Sequence, residues 1–89
     1  MPKVMFTANI QRHVECPGAV AEGQDVRAVL DNVFRENPAA RGYILDDQAG
    51  LRKHIAVFVD GVLIRDRVKL SDPVPASANV YVMQALSGG

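Results

Sequence analysis

The sequence closes on Gln84, Ala85, Leu86, Ser87, Gly88 and Gly89, a largely apolar run that gives way to two glycines. Glycine loses more conformational freedom on ordering than any other residue, so two in a row at an end call for a reason. A Gly-Gly end can offer a carboxylate on a thread without side chains, able to enter a channel that any Cβ would block. That carboxylate has a pKa of roughly 3.3–3.7, is charged at neutral pH, and is a poor electrophile until it is activated. The plain alternative is a flexible end with no task.

The other reactive residues are sparse. Cys16 is the single cysteine, so no intramolecular disulfide can form. It precedes Pro17, with His13 three residues away and His54 far along the chain. A Cys–His pair needs a third group to orient it, and a metal site needs more ligands than His13, Cys16 and a stray carboxylate. Cys16 therefore reads as a loop or strand-end residue, and His54 as a strand residue at the sheet surface. Asp46 and Asp47 could suggest a metal or acid–base pair, but adjacent acids in a loop are far more often solvated. The chain carries no P-loop, GxSxG, HExxH or paired CxxC pattern. No catalytic residue and no metal ligand is assigned.

Composition narrows the class further. Eighty-nine residues make one domain, and a chain of this size buries only about 60–65% of the surface it exposes when unfolded. One modest core fits, with little room for an enclosed active site. A hydrophobic content of 48% is enough to fold. Ten basic and ten acidic residues cancel, and the densest basic cluster, Arg65, Arg67 and Lys69, is interleaved with Asp66 and Asp72. Neither nucleic acid nor an anionic membrane is the expected partner. No apolar run approaches the roughly 18–20 residues of a membrane span, and the N-terminal stretch lacks the apolar centre of a signal peptide. The expectation is a cytoplasmic protein, monomeric when free.

The clearest element is residues 25–36. Val26, Val29, Leu30, Val33 and Phe34 follow the spacing of one helix face, while Arg27, Asp31 and Arg35 fall opposite. Asp25 suits the N-cap, Gly23 permits a sharp entry, and Pro38 ends the helix by disfavouring helical angles at Asn37. Residues 4–10 alternate as a strand, with Val4, Phe6, Ala8 and Ile10 on one face and Met5, Thr7 and Asn9 on the other. A second extended piece is expected around 13–16, before the turn at Pro17 and Gly18. Residues 39–50 read as irregular, with a turn of helix at 43–45. Residues 53–64 form a hairpin around Asp60-Gly61, a type I′ signal. Residues 65–77 read as a loop, with Asn79 as a turn residue, and 78–85 form the last strand, with Val80 and Val82 facing one way and Tyr81 and Met83 the other.

One helix covers one face of a sheet. The apolar first and last strands belong side by side at its centre, parallel, joined by a right-handed crossover. The expected fold is α+β: a β-grasp, ubiquitin-like domain with a mixed four- to five-stranded sheet and one main helix on one face. Residues 1–85 form that domain, and residues 86–89 a flexible tail.

This order of elements, the "EGQDV" helix entry, the "AVFVDG" hairpin and the terminal "SGG" together resemble the ubiquitin-like sulfur-carrier proteins. These include the small subunit of molybdopterin synthase, the thiazole-synthesis carrier and the carrier of one route to cysteine. "LRKHIAVFVDGVLIRD" is most similar to the cysteine-route type. The likeness spans essentially the whole chain. Departures are Asp60 where the family often has Asn, "ASAN" in place of a Gly-Asp turn, and Gln84-Ala85 where many members have proline. The last leaves the partner enzyme and the pathway open.

The resemblance implies a role for each part of the tail. Gly89 would be adenylated by an ATP-dependent activating enzyme and converted to a thiocarboxylate, which a sulfur-accepting synthase would use to build a small molecule. Gly88 would give clearance, and Leu86 and Ser87 would lead outward. ATP belongs to the partner, and no cofactor is bound permanently. The domain would be a handle rather than an enzyme, docking through the helix-free face of its sheet. Met5, Thr7, Tyr81 and Met83 are the candidates there, with Leu63 from the hairpin; an exposed apolar patch on a small domain usually marks an interaction site. Other classes stay open: a protein modifier joined to lysines through Gly89, an interaction module with an inert tail, or an enzyme using Cys16 and a histidine.

Overall fold

A computed structural model describes residues 1–12 and 18–84. Five strands form one sheet in the order β2-β1-β5-β3-β4. They are β1 (Lys3–Phe6), β2 (Ala19–Val20), β3 (Ile55–Val59), β4 (Val62–Leu63) and β5 (Asn79–Gln84). As expected, the first and last strands are parallel neighbours, with Met5 opposite Tyr81 and Phe6 opposite Val82. All the other pairings are antiparallel. The architecture is a β-grasp.

The main helix, α2 (Val26–Glu36), buries Val26, Val29, Leu30, Val33 and Phe34. At about 1.5–3 kcal/mol for each large apolar side chain removed from water, this stripe is a major part of the core. It packs with the inward residues of the sheet, among them Val4, Phe6, Val57, Val80 and Val82. Asp25 caps α2 by accepting from the Ala28 N–H at 2.8 Å. At Gly23, φ is +154°, and a Cβ would lie 2.6 Å from the Val29 nitrogen, so only glycine can make this entry.

Three sequence readings need correction. The strand expected over 4–10 stops at Phe6. Thr7 caps a one-turn helix, α1 (Ala8–Gln11), whose Gln11 N–H donates to the Thr7 carbonyl oxygen at 3.1 Å. The ladder with β5 ends at Phe6 opposite Val82, and the turn carries Ile10 beneath the sheet, fully buried. Period-two spacing put Ile10 on the core side for the wrong reason, and Ala8 is exposed. Second, residues 38–44 are not irregular. Pro38 opens a helix, α3 (Pro38–Ile44), at a position where its missing N–H costs nothing. Leu45, expected in a helical turn, is extended and bridges Leu51. Third, Asn79 is not the turn before the last strand. The chain turns earlier, where the Ala78 N–H donates to the Pro75 carbonyl at 3.0 Å, and Asn79 is the first residue of β5. The extended piece expected at 13–16 lies outside the described residues; the strand that pairs with β1 is β2.

The hairpin forms as expected. Asp60 and Gly61 have φ of 49° and 84°, the left-handed pair that a type I′ turn requires.

Candidate functional site

The helix-free face of the sheet presents one row of side chains across four strands. Strand register places Leu63 of β4 opposite Phe58 of β3, Phe58 opposite Tyr81 of β5, and Tyr81 opposite Met5 of β1. Strand alternation explains the row on β1, β3 and β5, where the neighbours of Met5, Phe58 and Tyr81 turn into the core or to its edge, whereas on the short β4 both Val62 and Leu63 are exposed. Met83 stands one pair further along, opposite Ala56 and towards the tail. Met5, Leu63 and Tyr81 are 42%, 51% and 42% exposed, large values for apolar residues side by side. An open depression of about 490 Å³ lies over this face, between Met5, Phe58, Tyr81 and Met83, with Asp60, Gly61 and Asn79 at its polar end.

Four of the five expected docking residues thus share one face. Thr7 stands apart. As the cap of α1 it is half-buried, and its hydroxyl oxygen is enclosed with no hydrogen-bond partner among the described residues. Phe58 was missed although its signal was in the sequence. It alternates with Val57 and Val59 and so faces outward, and the hairpin turn fixes its register against β4.

The strand that carries Tyr81 and Met83 runs directly towards the tail. Gln84 is the last residue of β5, pairs with Ile55, and precedes Gly89 by five residues. Leu86, Ser87, Gly88 and Gly89 lie outside the described residues, as do His13 and Cys16. At Gln84 the side chain turns to the helical side, where its Oε1 accepts from the Tyr43 hydroxyl at 2.6 Å. His54, expected within a strand, lies instead in the turn just before β3, and the Tyr43 ring meets it edge-on, with centroids 6.1 Å apart.

Elsewhere, charged groups build loops. Asp46 Oδ1 accepts from the N–H groups of Gln48 and Gly50 at 2.9 and 3.0 Å, giving that carboxylate a structural task. Asp66 accepts from the Ser71 hydroxyl at 2.6 Å and from the N–H groups of Val68, Lys69 and Ser71. These bonds, the Ser71 hydroxyl first, lower its pKa to about 2. Asp72, held by the Arg65 and Asp66 N–H groups, is shifted the same way. The Arg27 guanidinium donates to the carbonyls of Ala49, Val68 and Lys69, and that of Arg67 to those of Arg52 and Ile55. Among the described residues no group of three His, Cys, Asp or Glu side chains could hold a metal ion, and no helix is long and apolar enough to cross a membrane.

No protein-family profile and no curated protein sequence matches this chain. Solved structures do. The small archaeal modifier protein 1 of Methanosarcina acetivorans superposes with a TM-score of 0.80 at 23% identity, over 99% of this chain and 95% of its own. The BexX/CysO complex of Amycolatopsis orientalis gives 0.77 at 22% identity, over the full length of both chains. CysO of Mycobacterium tuberculosis gives 0.80 at 15% identity, over 97% of this chain and all of its own. These neighbours are ubiquitin-like sulfur-carrier and modifier proteins rather than enzymes. At such identities the likeness establishes the shared fold.

Proposed function

We propose that this chain is a sulfur carrier whose Gly89 carboxylate is the acceptor. The carboxylate oxygen attacks the α-phosphorus of ATP within an activating enzyme, pyrophosphate leaves, and an acyl-adenylate forms. A hydrosulfide-level donor attacks the acyl carbon and expels AMP, which leaves a thiocarboxylate on Gly89. A second enzyme passes that sulfur to a small-molecule acceptor, and water hydrolyses the acyl–sulfur bond to return the carboxylate. The chain itself supplies the acyl group and a grip, and its partners supply ATP binding and catalysis. The setting that fits such partners is the cytoplasm.

The observation that carries this reading is that one strand serves both ends of the task. β5 presents Tyr81 and Met83 on the open face and ends at Gln84, five residues before Gly89. At roughly 3.3–3.6 Å per extended residue, the carboxylate can reach no more than about 17–18 Å from the strand end. An enzyme that grips the open face therefore has the carboxylate within a short, fixed range. CysO in complex with BexX is a structural neighbour, which supports a carrier that works with a partner.

The test is intact-mass analysis after incubation with ATP, a ubiquitin-activating-type adenylating enzyme and sulfide. The expected product has one oxygen of the carboxylate replaced by sulfur, and a Gly89-deleted chain does not acquire it. The same mass shift on treatment in both proteins, or none in either, would sink the proposal. A second reading, a protein modifier, draws on the likeness to small archaeal modifier protein 1. It predicts ladders of conjugates, formed through lysines of other proteins and lost with Gly89.

A further inference from the structure

Tyr43 ties three segments together at the corner where β5 ends. Its hydroxyl donates to Gln84 Oε1 at 2.6 Å, a bond across 41 residues of sequence. Its ring packs against the core and meets His54 edge-on. The turn that carries His54 is itself fastened to α3. The Arg52 N–H donates to the Ile44 carbonyl at 3.1 Å, and its Nε–H donates to the Gly42 carbonyl at 2.9 Å. α3, the 52–54 turn and the end of β5 therefore form one braced unit. The brace is on the helical side of the sheet, away from the row of Leu63, Phe58, Tyr81 and Met5.

Strand ends fray because their last residues have few neighbours. Each residue lost from the end of β5 would add roughly 3.5 Å of slack to a five-residue tail and release its direction. A partner that grips the open face and threads Gly89 to a nucleotide depends on a fixed point of departure, since small misplacements of a reacting group cost rate steeply. Gln84 is that point, and the Tyr43 hydroxyl is what holds its side chain. We infer that Tyr43 is a positioning residue for the acceptor: through Gln84 it fixes the last residue pair of β5, the point from which the chain runs on to Gly89. The inference rests on Gly89 being the activated acceptor.

The variant Tyr43→Phe removes the hydroxyl and keeps the ring, its packing and the His54 contact. Amide hydrogen exchange should rise at least about fivefold at Met83 and Gln84, with Val80 and Val82 unchanged, because local opening starts where the brace is lost. Adenylation by the activating enzyme, followed by ATP–pyrophosphate exchange, should lose about five- to tenfold in kcat. The KM for the carrier should stay unchanged, because the docking face is on the other side of the sheet. Gln84→Leu should behave alike, Gln84→Glu should restore the rate because its Oε still accepts, and the double variant Tyr43→Phe/Gln84→Leu should be no worse than either single one. Unchanged exchange at Met83 and Gln84 overturns the inference whatever the kinetics. So does unchanged kcat, or a loss confined to KM. If exchange rises as expected while the wild-type chain is never adenylated, the acceptor reading fails first and the positioning role falls with it.

Discussion

Asp60 and Asn79 hold each other by two hydrogen bonds. The Asp60 N–H donates to the Asn79 carbonyl oxygen at 2.9 Å, and the Asn79 N–H donates to Asp60 Oδ1 at 2.9 Å. The hairpin turn is thereby pinned to the start of β5, at the polar end of the open face. Asn at position 60 offers the same acceptor and tolerates the left-handed backbone, so Asp and Asn are interchangeable at this turn as far as the fold is concerned. Asp60→Asn should change stability by less than about 0.5 kcal/mol. Asp60→Ala loses the acceptor and keeps a positive φ, and should cost about 1–2 kcal/mol in urea denaturation. Equal stability of the two variants would show that the pair does not hold the turn.

Tyr81 stands between Phe58 and Met5, at the middle of the exposed row. In the proposed docking role it is a central aromatic, the residue type that dominates interface energies, with about 2 kcal/mol or more lost on truncation. Tyr81→Ala should raise the KM for the carrier in the adenylation assay by roughly 30-fold, the equivalent of that energy. Its kcat should hold, and its melting temperature should fall far less than that of a core variant such as Leu30→Ala, for which about 2–5 kcal/mol is expected. An unchanged KM would place the docking surface elsewhere.

Two glycines should respond in opposite directions. A Cβ at Gly23 would collide with the Val29 nitrogen at 2.6 Å, whereas one at Gly42 would meet nothing within 4 Å. Gly42 lies within α3, where alanine is the better helix former by about 0.8–1 kcal/mol. Gly42→Ala should therefore raise the melting temperature, while Gly23→Ala should lower it and loosen the start of α2. Thermal melts followed by circular dichroism check both.

Acid should unfasten the loop between β4 and β5. The pKa of Asp66 is lowered from 3.8 to about 2 in the folded chain. A depressed carboxyl stabilises the fold above its unfolded pKa and loses that contribution as pH falls towards the folded value. Stability should therefore drop between about pH 4 and pH 2, with Asp72 acting in the same direction. Asp66→Asn should be less stable than wild type at pH 7, with a flatter decline across that window. Carboxyl-carbon NMR titration should place Asp66 near 2; a midpoint in the ordinary range would dismiss its hydrogen-bonded cage.

The sequence by itself determined what local chemistry dictates. The stripe from Val26 to Phe34, the Asp25 cap, the entry at Gly23 and the Asp60-Gly61 turn depend on a few neighbouring residues, and each folds as its pattern requires. The alternation of Val80, Tyr81, Val82 and Met83 fixed which face of the last strand is open. The sequence failed where a distant contact sets the outcome. Only the end of the β1–β5 ladder at Phe6 and Val82 shows that residues 8–11 turn into a helix, because alternation alone serves strand and turn equally well when Ile10 is buried in either. Only packing against the 52–54 turn reveals α3 and the hydroxyl of Tyr43 reaching Gln84. Phe58 lies between: its face was legible, but its place in a row with Leu63, Tyr81 and Met5 is a matter of register between strands, and register is a tertiary property.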